Sequence, residues 1–148
     1  MREAIHMLKF GGVRRVAGPL GRLLVQGGGE VVADVVVSVP MEEGRLRERG
    51  LDHALLIAKW YARDVGLPLV RGVLYKKRGT PEQVGLSRTA RMMNLRGAFG
   101  VRGEAVRGKA VVLVDDVITT GATVRECARV LKKAGAERIY VVALARTY

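Results

Sequence analysis

Two adjacent carboxylates, Asp115 and Asp116, follow directly on an unbroken apolar run, Val111-Val112-Leu113-Val114, and a few residues later comes Thr119-Thr120-Gly121-Ala122-Thr123. Carboxylates accept hydrogen bonds from vicinal hydroxyls. Small and hydroxyl side chains around a glycine, placed ahead of a helix, leave backbone N–H groups open to an anion, which the helix dipole also favours. A ligand that asks for both within short reach is a sugar phosphate of the ribose 5-phosphate type. The alternative is a strand that ends in solvated acids, followed by a threonine helix cap.

A second set of residues suits a polyanion. Arg45, Arg47 and Arg49 alternate after Pro40 and Met41, and a guanidinium fork matches phosphate oxygens; a solvated turn would look the same. The formal net charge is +12, and residues 71–109 hold ten cations against two acids. Such a concentration fits pyrophosphate, nucleic acid, an acidic protein surface, or simply water.

These groups need a frame. The acids' strand, residues 111–114, reads as a buried parallel strand opening into a ligand crevice at its C-terminal end. Residues 34–39 are its expected parallel neighbour, stopped by Pro40, with residues 41–45 as a loop at the same edge. A helix is expected over residues 51–65, a strand over 69–75, a helix capped by Ser87, a short strand over 98–101, a helix from Thr123 to about Gly135, and a last strand over 138–144. Residues 3–10 and 13–25 carry helical spacing and form a peripheral arm. Residues 76–97 read as a long basic loop of the kind that closes over sites.

At 148 residues, 49% hydrophobic and 27% charged, the chain fits one soluble domain, residues 1–148. No apolar run is long enough for a membrane span and the N-terminus lacks a signal-peptide core, so a cytoplasmic location is expected. Cys127, the one cysteine, has the spacing of a buried core residue and excludes both an intrachain disulfide and a cysteine-based zinc cluster. His53 reads as a helix-surface residue.

The 111–123 stretch resembles the 5-phosphoribosyl-1-pyrophosphate (PRPP) signature of type I phosphoribosyltransferases. Leu46-Arg-Glu-Arg-Gly50, Gln83-x-Gly-Leu-Ser87, Arg91-x-x-Asn94-Leu-Arg-Gly-Ala-Phe99 and His6-x-Leu-Lys9-Phe10 extend the likeness to the ComF family, associated with bacterial competence for DNA uptake. The resemblance implies an α/β type I phosphoribosyltransferase fold: a mostly parallel central sheet flanked by helices, with residues 1–30 as the arm in place of a larger hood. It implies ribose binding by Asp115 and Asp116, and 5-phosphate binding by Thr119, Thr120, Gly121, Ala122 and Thr123. Pyrophosphate would meet Pro40, Met41, Arg45, Arg49 and Arg78, with Arg88 and Arg91 as further candidates once the basic loop closes.

Mg²⁺ would come with the PRPP, touching Asp115 and Asp116. That family's zinc ribbon is not matched here, so zinc is not implied, and Asp52-His53 replaces its usual Asn-Gln pair. The expected activity is phosphoribosyl transfer with pyrophosphate release to an acceptor the sequence does not name. The competing expectation is a PRPP-binding factor without turnover that handles single-stranded DNA beside competence proteins. A homodimer is compatible with either.

Overall fold

The computed structural model describes residues 17–41, 43–77 and 87–147. The expected helix over residues 3–10, the middle of the basic loop and Arg78 lie outside the described residues, as do the side chains of Arg49, Arg88 and Arg91.

The elements run α1 (Ala17–Gly27), β1 (Val35–Ser38), α2 (Glu43–Arg49), α3 (His53–Val65), β2 (Leu74–Lys76), α4 (Arg88–Leu95), β3 (Phe99–Val101), β4 (Ala110–Ile118), α5 (Ala122–Lys133) and β5 (Arg138–Arg146). The main sheet is parallel, ordered β1-β4-β5, with Val35 opposite Val111 and Ala110 opposite Arg138. Its strands are apolar at consecutive positions because both faces are covered. Val35, Val37, Val111 and Leu113 pack with Cys127 and Leu131 of α5 and Phe99 of β3. Their alternates, Val36, Val112 and Val114, pack with Leu20 and Leu24 of α1 and Ile57 and Tyr61 of α3.

Three expectations change. The strand expected over residues 69–75 is divided: Leu69 bridges in parallel to Val36, whereas Leu74–Lys76 pairs antiparallel with β3. Gly72, at φ 73°, turns the chain between the two, a conformation that a residue with a Cβ adopts only at a cost. Residues 43–49, expected as loop and turn, are helical: Arg, Leu and Glu are good helix formers, and Gly50 at φ 65° ends the helix by donating to the Leu46 carbonyl. The part of the arm that is described is packed rather than peripheral. A Cβ on Gly21 would lie 2.6 Å from the Trp60 Cβ, so only glycine lets α1 approach α3 this closely.

Candidate functional site

The strand that carries the acids outlasts its neighbour. β1 pairing ends at Ser38 opposite Val114, with one more bond from the Val39 N–H to the Val114 carbonyl, and Pro40 has no N–H to continue it. β5 meanwhile pairs on to Ile118. The acids therefore lie within β4, not beyond its end as the sequence suggested, at the point where one flank of the strand opens. Successive residues of a strand face opposite sides. Asp115 thus faces the α5 side, where its charge acts on Cys127, and Asp116 faces the α3 side, where its charge acts on Asp52.

Around this opening is a cavity of about 190 Å³, walled by Val39, Pro40, Met41, Arg45, Asp52, His53, Ala54, Lys76, Asp115 and Asp116. The structure thus gathers three of the expected pyrophosphate contacts, Pro40, Met41 and Arg45, with both acids. A smaller cleft of about 40 Å³ lies on the other side of Asp115, lined by Val117, Ile118, Thr119, Thr120, Gly121, Ala122, Thr123 and Val124. All five residues of the expected phosphate loop are there, and Asp115 borders both spaces.

The loop leads directly into the first turn of α5. Gly121 sits at φ 81° as the N-cap of α5 and offers no side-chain cap, while Thr120 Oγ1 accepts from the Ala122 N–H at 3.3 Å. The acids are themselves held locally: the Asp116 N–H donates to Asp115 Oδ1 at 2.8 Å and the Val117 N–H to Asp116 Oδ1 at 2.6 Å. α5 is fixed beneath by Cys127, fully buried as expected, whose thiol is pushed well above its usual range, chiefly by burial and then by the Asp115 charge.

Two wall residues, Asp52 and His53, stood out in the sequence only as a departure from the family's Asn-Gln pair and were not expected at the site. Asp52 N-caps α3, its Oδ1 accepting from the Leu55 N–H at 3.0 Å. Burial raises its carboxyl pKa and the Asp116 charge adds to that, against the opposing pull of the Leu55 N–H and Arg71. The signal was present: an Asp directly ahead of a helical run is a capping signature. His53, expected on the helix surface, is only 2% exposed. It belongs to the buried stripe His53, Ile57, Tyr61, spaced by four, which turns it toward the sheet edge.

Glu126 is the other buried polar or charged residue among the described residues. Its Oε1 accepts from the Gly97 N–H at 3.0 Å and from an Arg129 guanidinium nitrogen at 2.6 Å, tying the segment after α4 to α5. Arg129 holds its pKa below the usual carboxylate value, with burial opposing and the Gly97 bond assisting.

A family model described as phosphoribosyl transferase domain matches residues 27–147, a span that includes both cavities. The chain is 35% identical over 150 residues to the DNA utilization protein YhgH of Salmonella typhi, covering 97% of this chain and 66% of that protein. It is 36% identical over 115 residues to Competence protein F of Haemophilus influenzae, covering 76% of this chain and 50% of that one. The chain therefore spans two thirds or less of the length of these relatives. Among solved structures, the glutamine PRPP amidotransferase from B. subtilis complexed with ADP and GMP superposes with a TM-score of 0.59 at 31% identity, over 84% of this chain and 25% of that one.

Proposed function

The chain belongs to the phosphoribosyl transferase domain family, with competence protein F among its relatives, and from that premise we propose that it binds PRPP with Mg²⁺ and transfers the phosphoribosyl group to an acceptor, releasing pyrophosphate. The observation that carries this reading is the double position of Asp115, which borders the phosphate-loop cleft on one side and the Arg45 and Lys76 cavity on the other. A ribose laid over Asp115 has its 5-phosphate in the first space and its pyrophosphate in the second.

Transfer breaks the bond from the anomeric carbon to the pyrophosphate oxygen, the electron pair leaving with pyrophosphate while the acceptor's lone pair forms the new bond. Positive charge on the ring is met by Asp115 and Asp116, and the leaving charge by Arg45 and Lys76. Asp115 and Asp116 both border the cavity and would be the carboxylates to hold a Mg²⁺ ion arriving with the ligand, in keeping with the preference of Mg²⁺ for one or two carboxylates plus phosphate oxygens. Such an ion would supply charge neutralisation on the phosphate oxygens.

Calorimetric titration of PRPP with and without Mg²⁺ tests the reading. Saturable, Mg²⁺-dependent binding is expected, and it should vanish in the Asp115→Asn, Asp116→Asn double variant. An unchanged dissociation constant in that variant removes the ribose assignment.

A second reading, a PRPP-binding factor that handles single-stranded DNA without turnover, is favoured by the charge of residues 71–109, ten cations against two acids. It predicts oligonucleotide binding that weakens steeply with salt, and no pyrophosphate release from PRPP with any base offered.

A further inference from the structure

A second cavity, of about 210 Å³, adjoins the first, and Asp52 is the residue that lines both. Its floor is apolar, formed by Leu51, Leu55, Leu56 and Leu69, and its rim holds two exposed cations, Lys59 and Arg71. Sites for drug-sized ligands measure roughly 300–1,000 Å³, so this one takes an occupant about the size of one ring. Four leucines offer a ring its faces, and two cations at the rim answer a negative group at its edge. An ionised carboxylate has about four lone-pair sites, so the Leu55 N–H bond leaves Asp52 able to accept from a ring N–H or hydroxyl as well.

We propose that this cavity binds a single-ring organic anion, an aromatic or heteroaromatic ring bearing a carboxylate or phosphate, and that Asp52 couples its occupancy to the ligand site next door. The binding goes beyond the PRPP reading and stands apart from it. Only the coupling rests on that reading, through the placement of Asp52 between Arg71 on one side and Asp116 on the other, whose charges both act on it.

Benzoate and phenyl phosphate are the probes, with acetate as the anion lacking a ring and benzyl alcohol as the ring lacking an anion. Titrations of the full chain followed by methyl NMR should show saturable shifts at Leu51, Leu55 and Leu69 for both probes, and binding about tenfold weaker or worse for the two controls. The Lys59→Ala, Arg71→Ala double variant should lose about tenfold or more in probe affinity with its melting temperature retained, and Arg71→Lys should lose less. Equal binding of benzoate and benzyl alcohol, shifts that map elsewhere, or wild-type affinity in the double variant would each overturn the site. So would a concentration-dependent dimer whose formation covers these leucines, since the occupant would then be a second copy.

For the coupling, the PRPP dissociation constant in saturating benzoate should change about threefold or more in the wild type and not in Asp52→Asn, which keeps a capping side chain. No change in the wild type overturns the coupling. Absence of PRPP binding with benzoate binding intact overturns the PRPP reading, and with it the coupling, while the ring-anion site stands.

Discussion

The loop that opens α5 is backed by a twelve-residue helix with Cys127 and Leu131 fully buried, whereas the opposite wall, at Arg45, rides on a seven-residue helix with Arg45, Leu46 and Arg47 all exposed. One end of the site is set by the core and the other by a short surface element. A sugar phosphate has matching ends: the phosphoester stays attached throughout a transfer and gains from a fixed cradle, while the pyrophosphate must be gripped and then released. The contrast predicts that changes at the α5 end act as lost binding, large and independent of salt, and that changes at the α2 end act as weak, screened electrostatics.

The sharpest break of that contrast is at Asp115, which belongs to both ends, against Asp116, which lines only one. Asp115→Asn should weaken PRPP binding about 30- to 100-fold and Asp116→Asn about tenfold, the range expected for hydrogen bonds to a charged acceptor. Calorimetry on the single variants checks the order. Equal losses would mean that the ribose does not span the two cavities as proposed.

The same division governs what could be read from the chain. The α5 end is one contiguous stretch, so composition and spacing displayed it: apolar run, acids, loop and helix follow in order. The far wall is assembled from Pro40, Arg45, Asp52, His53 and Lys76, which meet only because β1 ends where Pro40 lacks an N–H and α3 starts at the same sheet edge. Asp52 and His53 stood out only as a departure from the family's Asn-Gln pair, because a cap and a buried stripe look ordinary until the sheet edge is placed beside them. The strand over 69–75 was misread because its hydrophobic pattern runs on through Gly72, whose positive φ is a backbone property with no periodicity.

Below the ligand effects comes the scaffold of the far wall. Placing a Cβ at Gly21 drives it into Trp60, and helix α3, which carries Asp52 and His53, would have to move. Gly21→Val should cost about 2 kcal/mol, the range for overpacking a tight contact, and lower the melting temperature by several degrees. If the ends are as separable as argued, Thr119 to Thr123 should keep their chemical shifts in this variant while His53 shifts. Shifts at both would show that the ends move as one body.

Glu126 supplies a smaller effect on the other side. Its carboxylate, paired with Arg129 and bonded to the Gly97 N–H, is held below its usual pKa of 4.5. Its contribution is therefore fully present above that value and is lost as pH falls through the lower folded value. Glu126→Gln should cost about 1 kcal/mol at pH 7 and flatten the acid limb of the stability curve, so that wild type and variant converge once the pH has fallen through the lowered folded value. Chemical denaturation at a series of pH values reads this directly, and a gap that persists in acid would place the effect in packing instead of charge.

The smallest effect, and the one that separates the ends most cleanly, is expected at Arg45. The guanidinium lies on the cavity wall but on an exposed helix, where the effective dielectric is high and salt screens charges beyond about 8–10 Å. Arg45→Ala should weaken PRPP binding only about threefold at physiological ionic strength, more at low salt, and leave the melting temperature unchanged. The loss should also depend on the ligand: ribose 5-phosphate, which lacks the pyrophosphate, should bind wild type and variant alike. Calorimetry with the two ligands at two salt concentrations gives four ratios, and only the PRPP pair at low salt should exceed threefold. A comparable loss for ribose 5-phosphate would move Arg45 to the phosphate end and reverse the orientation assigned to the sugar, because the group lost on going from PRPP to ribose 5-phosphate is the one this side chain is placed to meet.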